Sequence, residues 1–600
     1  MRYCGLMFKK DQGMDEIMSI DNRRKQTRRG RTAGSLALCA LALFAALAWP
    51  ALSSAATYYV STSGNDGNDG LAPAFSGGTL GPFRSLMRAA LYVRPGDSVL
   101  IRGGTYAEIS SWTTDGTQAA PITITNYNGE TVEITGNNHT IPSGTYGTLV
   151  SIKGDWYNVS NLSIGYSSWY GMAVDGYHCV VENIFAHHNW SSGIYTAGWY
   201  NLILNCRAYN NSLINAYFRP HDGTWGFGIS ACRYPQYTTI RGCTAWANWG
   251  EGISTFESYH ITIEDCVSYN NQQNFYLSDT RYAVLQRCLS YYTPGNPIQA
   301  YDTQCAILMG NEGHTPACAD NTIINNLCWG GERNVAIGSN TFVNGLVAHN
   351  TFVNASPTAG SESACVYIFG GTYSSARFQN NIAVQDDSVP IARVGASGVR
   401  FVSNLWSKTP VSSAVGSGDI VGLPLLKGTG IPEAGSLSPA WFDLTEASPA
   451  RDHATPLAAV PEDFRRNPRG SAPDMGAFEF TGSGTDTDTI TPPVVTTILN
   501  ANVVAMPTTG RAPFPVTFAA VVAGGTPPYT YRWTFGDGGT STEPNPTHTY
   551  ELGGIFRASL TVTDAKATVT SSSSTITVRT KVDIKQLRHD RRAAPRIILK

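Results

Sequence analysis

Residues 262–272 read TIEDCVSYNNQ, and residues 202–212 read LILNCRAYNNS. Three further phrases fit the same frame: ENIFAHHN (182–189), RGCTAWAN (241–248) and QRCLSYYT (286–293). Aligned with LNCRAYNN (204–211) and EDCVSYNN (264–271), they place Ile184, Cys206, Cys243, Cys266 and Cys288 in one column, with gaps of 22, 37, 23 and 22 residues. Leu162 extends the column upstream, and Leu327, Thr351, Ile382 and Leu405 extend it downstream. A period near 22 residues, built of short alternating strands with Asn or Gly at the turns, predicts a parallel β-helix in which each phrase is one coil.

That register assigns side chains. The cysteine column reads as small apolar groups stacked inside the solenoid, so Cys206, Cys243, Cys266 and Cys288 are expected as free thiols; Cys305 and Cys318 lie off the column and stay open to pairing. Asparagines 189, 210, 211, 248, 270 and 271 form a second column, expected to be a hydrogen-bonded ladder that satisfies turn backbone groups. Counting back 12 to 14 residues from the first column gives the preceding strand of each coil, with Met172, Ile194, Ile229, Ile253 and Phe275 pointing inward. Alternation then puts Ala173, Asp175, Tyr195, Ala197, Ser230, Cys232, Ser254, Phe256, Tyr276 and Ser278 on the outer face.

The chain has 600 residues, 60 of them Gly, and only 14% are charged. Its formal net charge of -2 gives no sign of a nucleic-acid partner. Arginines 23, 24, 28, 29 and 31 precede the apolar run LALCALALFAALAW and the small-residue stretch ALSSAAT, the pattern of an export signal cleaved near Ala55 or Ala56. The expected organisation is a signal over 1–56, the β-helix over 57–480, a linker over 481–499, a sandwich domain over 500–579 and a basic tail over 580–600. The protein is expected to be secreted, periplasmic or held at the cell surface.

Both ends of the repeat array resemble a known family. YYVSTSGNDGNDG, GPFRSLMRAALYVRPGDSVLIRGGTYAE and DFRRNPRGSAPDMGAFEF are similar to the start and finish of secreted right-handed β-helix proteins of the pectate-lyase-like superfamily. That resemblance implies a polysaccharide partner, neutral or acidic, and leaves the activity open among lyases, hydrolases, epimerases and noncatalytic proteins. YRWTFGDGGTSTEPNPTHTYELGGIFRASLTVTDA resembles a polycystic-kidney-disease (PKD) domain through Trp533, Phe535, Gly536, Asp537, Gly538, Pro546, His548, Tyr550, Leu560, Val562 and Asp564. It implies an Ig-like β-sandwich that serves as a spacer or polymer-binding unit.

The long gap after Cys206 contains NAYFRPHDGTWG, and the one after Cys288 contains GNPIQAYDTQCAILMGNEGHTPACAD; additions of this kind leave a solenoid as loops, where function is concentrated. RPHDG is similar to the catalytic motif of alginate-type epimerases on this fold, with Pro220, His221 and Asp222 matching and Arg219 at the position of the catalytic Asp. Proton abstraction beside a uronate carboxylate needs a base and charge neutralisation. No lysine lies between Lys153 and Lys408, which disfavours a lysine base. The expected catalytic set is His221, Asp222, Arg219, Asp175, Glu251 and Asp279, and the expected sugar contacts are Tyr195, Trp225, Trp249 and Tyr276. Calcium is left open as a cofactor. The expected function is a lyase or related uronate-active enzyme, with a noncatalytic adhesion or carbohydrate-binding protein as the alternative and a glycoside hydrolase third.

Overall fold

The computed structural model describes residues 55–136, 147–212, 226–293, 304–356, 362–373, 375–428, 435–482, 500–506, 508–523 and 529–579. Residues 1–54 of the expected export signal, residues 483–499 of the expected linker over 481–499 and the tail beyond 579 lie outside the described residues. So do Arg219, His221, Asp222 and Trp225. The chain divides into two units, 1–490 and 491–600.

One coil of the first unit shows the plan. Val180–Glu182 lies on the first face, Phe185–His187 on the second and Ser192–Thr196 on the third. Stacking of successive coils gives parallel sheets of 13, 13 and 11 strands respectively. The corner between the first two faces needs a left-handed residue, supplied by Asn183, Asn205, Gly242, Asp265, Arg287 and Asn325 with φ of 53°, 51°, 64°, 55°, 51° and 54°. Asn, Asp and Gly tolerate that conformation best, which is why they punctuate the repeat. Met172, Ile194, Ile229, Ile253 and Phe275 register with one another and are fully buried, as the alternation requires.

All ten described cysteines are free and buried, Cys305 and Cys318 among them. The thiols do more than fill space. Cys266 Sγ approaches Ile240 O at 3.6 Å and Cys288 Sγ approaches Ile263 O at 3.8 Å, each pointing at a carbonyl of the preceding coil. Below Cys288 the column differs from the sequence expectation. Leu327 registers with Leu289 rather than with Cys288, and Thr351, Ile382 and Leu405 follow Leu327. The inward position passes instead to Asn326, Asn350, Asn381 and Asn404. Asn326 Nδ2 donates to Leu285 O and Asn350 Nδ2 to Ile323 O, both at 2.9 Å, so the amide takes over the task of the thiol. A slip of one residue reverses the face of a strand. Leu327, Ile382 and Leu405 accordingly point outward, where they pack with Leu289 and with Leu437, Phe442, Met475 and Phe478 of the closing segment.

The second corner carries the other ladder. Asn189 donates to Asn211 Oδ1 (2.9 Å), Asn211 to Asn248 (3.0 Å) and Asn248 to Asn271 (2.9 Å). Each amide also donates to a carbonyl of the coil above, using both of its hydrogens. Asn210 and Asn270 sit one residue outside this ladder, in the left-handed region at φ 49° and 54°. The outside of the solenoid has its own periodicity: Trp156, His178, Tyr200, Tyr237, His260 and Tyr282 stack at 4.1 to 5.0 Å, nearly parallel. Their faces cover one another, so edges rather than faces meet solvent.

A short helix, Leu86–Tyr92, begins at Ser85, whose side chain accepts from Arg88 N, and buries Leu86, Ala89 and Ala90 in the first core. The second unit is a sandwich of a three-stranded and a five-stranded sheet. Its core contains Phe518, Trp533, Phe535, Tyr550, Leu560 and Val562.

Candidate active site on the third face

The strands Phe227–Cys232, Glu251–Tyr259, Gln273–Arg281 and Cys305–Gly310 lie side by side on the third face. Ala173, Tyr195, Ser230, Ser254 and Tyr276 form one outward row in register. Ala173, Tyr195 and Cys232 make a small apolar cluster separate from the interior core, joined by Tyr170, Ala197, Phe227 and Phe256. Tyr170 and Tyr195 stack at 5.1 Å.

Beyond the strand Gln273–Arg281 the row meets a group of ionisable side chains. Asp279 is fully buried in the left-handed conformation (φ 44°) and accepts from Glu312 N at 2.9 Å, His314 N at 3.3 Å and Ser278 Oγ at 3.2 Å. It thereby fixes the turn that follows Cys305–Gly310. Held in this way, Glu312 accepts the Tyr276 hydroxyl at Oε1 (2.8 Å). His314 Nδ1 lies 3.0 Å from Glu257 Oε1, and its ring meets Phe256 edge-on at 5.1 Å. Burial raises the Glu312 carboxyl; the Asp279 charge adds to this, while the Tyr276 hydrogen bond and His314 oppose it. Burial also raises the Tyr276 phenol well above its usual value, and Glu312 adds to it. A phenol that keeps its proton beside a carboxyl group that is half-buried is an arrangement able to exchange protons with a bound substrate.

The expected carboxylates do not all converge. Asp175 shares a row with Cys232 and Ser278, about 10 Å and about 19 Å away at the usual strand spacing. Glu251 stands at the opposite end of its strand from Glu257, up to about 20 Å along it. Its charge still raises the phenol of Tyr276 and the thiol of Cys232. Trp249 is buried ahead of the same strand. Tyr195 and Tyr276 both take the outer face, and both are largely buried there. Sequence reasoning missed Glu312, His314 and Arg233. The first two lie in the long segment after Cys288, whose extra length was the available signal. Arg233 follows Cys232 in the left-handed conformation (φ 67°), and its charge opposes the rise in the Tyr195 phenol and the Cys232 thiol. Among the described residues no three His, Cys, Asp or Glu side chains converge to hold a metal. The oxygens of Asp279 are occupied by protein donors, which does not suit the many-oxygen cage that calcium takes.

Residues 58–283 match the family described as the Pel9A-like right-handed β-helix region, and residues 493–580 match the PKD domain. The first unit therefore contains a Pel9A-like right-handed β-helix and the second is a PKD domain. Pectate lyase L of Dickeya dadantii (strain 3937) is 26% identical over 442 residues, which span 70% of this chain and 90% of that protein. The crystal structure of pectate lyase Pel9A is 19% identical with a TM-score of 0.42, covering 72% of this chain and 97% of that one. The PKD1 domain of the Vibrio cholerae metalloprotease PrtV is 30% identical with a TM-score of 0.12, covering 13% of this chain and 95% of that one.

Proposed function

We propose that the β-helical unit is an exported polysaccharide lyase acting on a uronate-containing polymer, with Tyr276 and Glu312 as its proton-transfer pair. The observation that carries this reading is the 2.8 Å hydrogen bond between them on the outer face. The relation to pectate lyase L over 442 residues supports the reaction class. In the elimination Glu312 takes the C5 proton, the C4–C5 double bond forms as the C4–O bond breaks, and the Tyr276 proton passes to the departing oxygen. The proton on Glu312 then returns to Tyr276 through their hydrogen bond. Asp279 is a positioning residue, since it holds the turn that presents Glu312 and His314. Tyr195 and Asp175 lie further along the same face, three and four strands from Tyr276 and Ser278, and the PKD unit serves as spacer or polymer-binding module.

A noncatalytic carbohydrate-binding role is the second reading, favoured by the spread of Asp175, Glu251 and Asp279 over separate positions. Incubation with polygalacturonate, alginate, rhamnogalacturonan and esterified pectin, read at the absorbance of unsaturated uronates and by reducing ends, separates the readings. The lyase reading expects both signals. Binding without either product supports the second reading, and reducing ends without unsaturation point to a hydrolase.

A further inference from the structure

We infer that the outer face of the five-stranded sheet in the PKD unit is a docking surface for a linear polyuronate, held through a file of arginines. This rests on the polymer-binding role named for that unit above and is independent of the elimination chemistry assigned to the first unit. The strands Thr509–Arg511, Val569–Arg579, Gly554–Thr563 and Thr530–Thr534 lie side by side in this sheet, with Thr540–Ser541 at its edge. Trp533, Ala558 and Val578 point into the core, so alternation turns their neighbours Arg532, Arg557 and Arg579 outward, and all three are exposed. Gly510 stands opposite the inward Val578, where a Cβ would meet the Phe514 ring; Arg511 is therefore outward too, opposite Arg579. Register gives the spacing. Arg532 pairs with Thr561, four residues from Arg557, and Arg557 pairs with Thr575, four residues from Arg579. Both steps run the same way, because each strand pair is antiparallel. At about 3.4 Å per residue and about 4.8 Å per strand, successive arginines lie about 14 Å apart along one diagonal.

Hydroxyls line the face between them: Ser559, Thr561, Ser571, Ser573, Thr575 and Thr577. Arg557 Nε donates to Ser573 Oγ at 3.1 Å, which holds that guanidinium against the neighbouring strand with its other nitrogens open to a ligand. The charge here is of one sign. Asp537, Glu543, Glu551 and Asp564, the carboxylates of 500–579, all lie outside the strands; Asp537 is bound to His548 at 2.6 Å, and Asp564 accepts from Lys566 N and Thr568 N. Among the described residues no carboxylate pairs with Arg511, Arg532, Arg557 or Arg579. By sequence, the residues between Ala523 and Tyr529 are uncharged and those beyond Arg579 are predominantly basic, so neither adjoining stretch reverses the sign. Asp486 and Asp488 precede Asn500, whose strand belongs to the other sheet. A guanidinium takes a carboxylate through two parallel hydrogen bonds, and hydroxyls both donate to and accept from sugar hydroxyls. A linear chain that carries carboxylates and hydroxyls at each sugar meets both along the diagonal. A nucleic acid would find no aromatic ring at the outward positions of these strands on which to stack a base.

The test applies the full-length protein to agarose bearing polygalacturonate and follows retention as salt is raised. Wild type is expected to be retained at low salt and released as salt screens the contacts. Arg532→Gln/Arg557→Gln is expected to bind at least about fivefold more weakly, while Arg532→Lys/Arg557→Lys keeps most of the affinity. Thr575→Glu, which offers Arg557 a carboxylate of the protein's own, should weaken binding in the same direction and keeps the test decisive if the glutamine variant does not fold. Retention of Arg532→Gln/Arg557→Gln and Thr575→Glu equal to that of wild type would overturn the inference, as would equally tight binding of wild type to duplex DNA. Binding of wild type to neutral dextran but not to polygalacturonate would overturn it and leave the PKD unit a polymer binder. Turnover of a soluble oligogalacturonate by the same samples, read as unsaturated product, is expected to be unchanged in the variants and reports separately on the lyase reading.

Discussion

Tyr276 donates its hydroxyl hydrogen to Glu312 across 2.8 Å, although the two residues are separated by 36 positions and come from adjacent coils. The contact exists because Asp279, three residues after Tyr276, gathers the backbone of Glu312 and His314. If this pair transfers protons, Tyr276→Phe and Glu312→Gln should each lower kcat by about 100-fold or more, the scale for losing a general acid or base. Tyr276→Phe removes one hydrogen bond, so its stability cost should stay near 1 kcal/mol. Turnover measured from unsaturated product, together with thermal unfolding, checks both. A fall in kcat of less than about threefold for either variant would remove the pair from the mechanism.

The same carboxyl gives a pH dependence. Burial, with the Asp279 charge adding, puts Glu312 above its ordinary 4.5. As a base it must be deprotonated, so kcat/KM should rise with pH through a midpoint above 4.5, and Glu312→Gln should abolish that limb. Stability runs the other way. Because the folded-state value is the higher one, the contribution of this group is complete below 4.5 and is lost as pH rises through the folded-state value. Thermal unfolding of wild type and Glu312→Gln across that range should therefore diverge in the direction opposite to activity.

The cysteine column offers a test of the corrected register. Cys288 N donates to Asn326 Oδ1 at 3.0 Å, which places Asn326 directly beneath it. Cys288→Asn should extend the asparagine ladder upward by one coil and be tolerated within about 1–2 kcal/mol. Cys288→Leu should cost more, about 1–3 kcal/mol from overpacking together with the loss of the thiol contact to Ile263 O. Chemical denaturation of the two variants ranks them. If the asparagine variant were the less stable, the thiol and the amide would not be interchangeable at this corner.

The period was legible because most coils repeat a left-handed Asn, Asp or Gly followed by an inward residue, and both leave a mark in sequence. The slip at Leu327 arose from expecting apolar continuity at an inward position that a polar side chain fills equally well once it can donate to the coil above. The outward rows were legible for the same reason of alternation, and Tyr195 and Tyr276 fall where it placed them. The site itself was not. Glu312 and His314 are brought to Tyr276 and Glu257 by backbone hydrogen bonds to Asp279 that no periodicity encodes.

The separate cores of the two units give the last prediction. Interior residues from Val60 to Ala414 form the first unit's main core, and a second cluster running to Phe478 closes its flank. The PKD core begins at Ala501 and draws on none of these residues. Arg469 contributes to the closing segment by donating to Asn325 Oδ1 and Gly476 O, both at 2.9 Å, and the segment's polar contacts run to Phe480, just ahead of the Thr/Asp-rich stretch over 481–499. We therefore propose that a chain ending at Gly482 folds and keeps its turnover on soluble polymer, because a linker of this composition separates units with their own cores. Its affinity for insoluble polymer should fall if the PKD unit binds the polymer, and stay unchanged if that unit is only a spacer. Circular dichroism, turnover and a pull-down on insoluble pectic material distinguish these outcomes, and loss of folding in the shortened chain would show that the β-helix needs the sandwich to complete it.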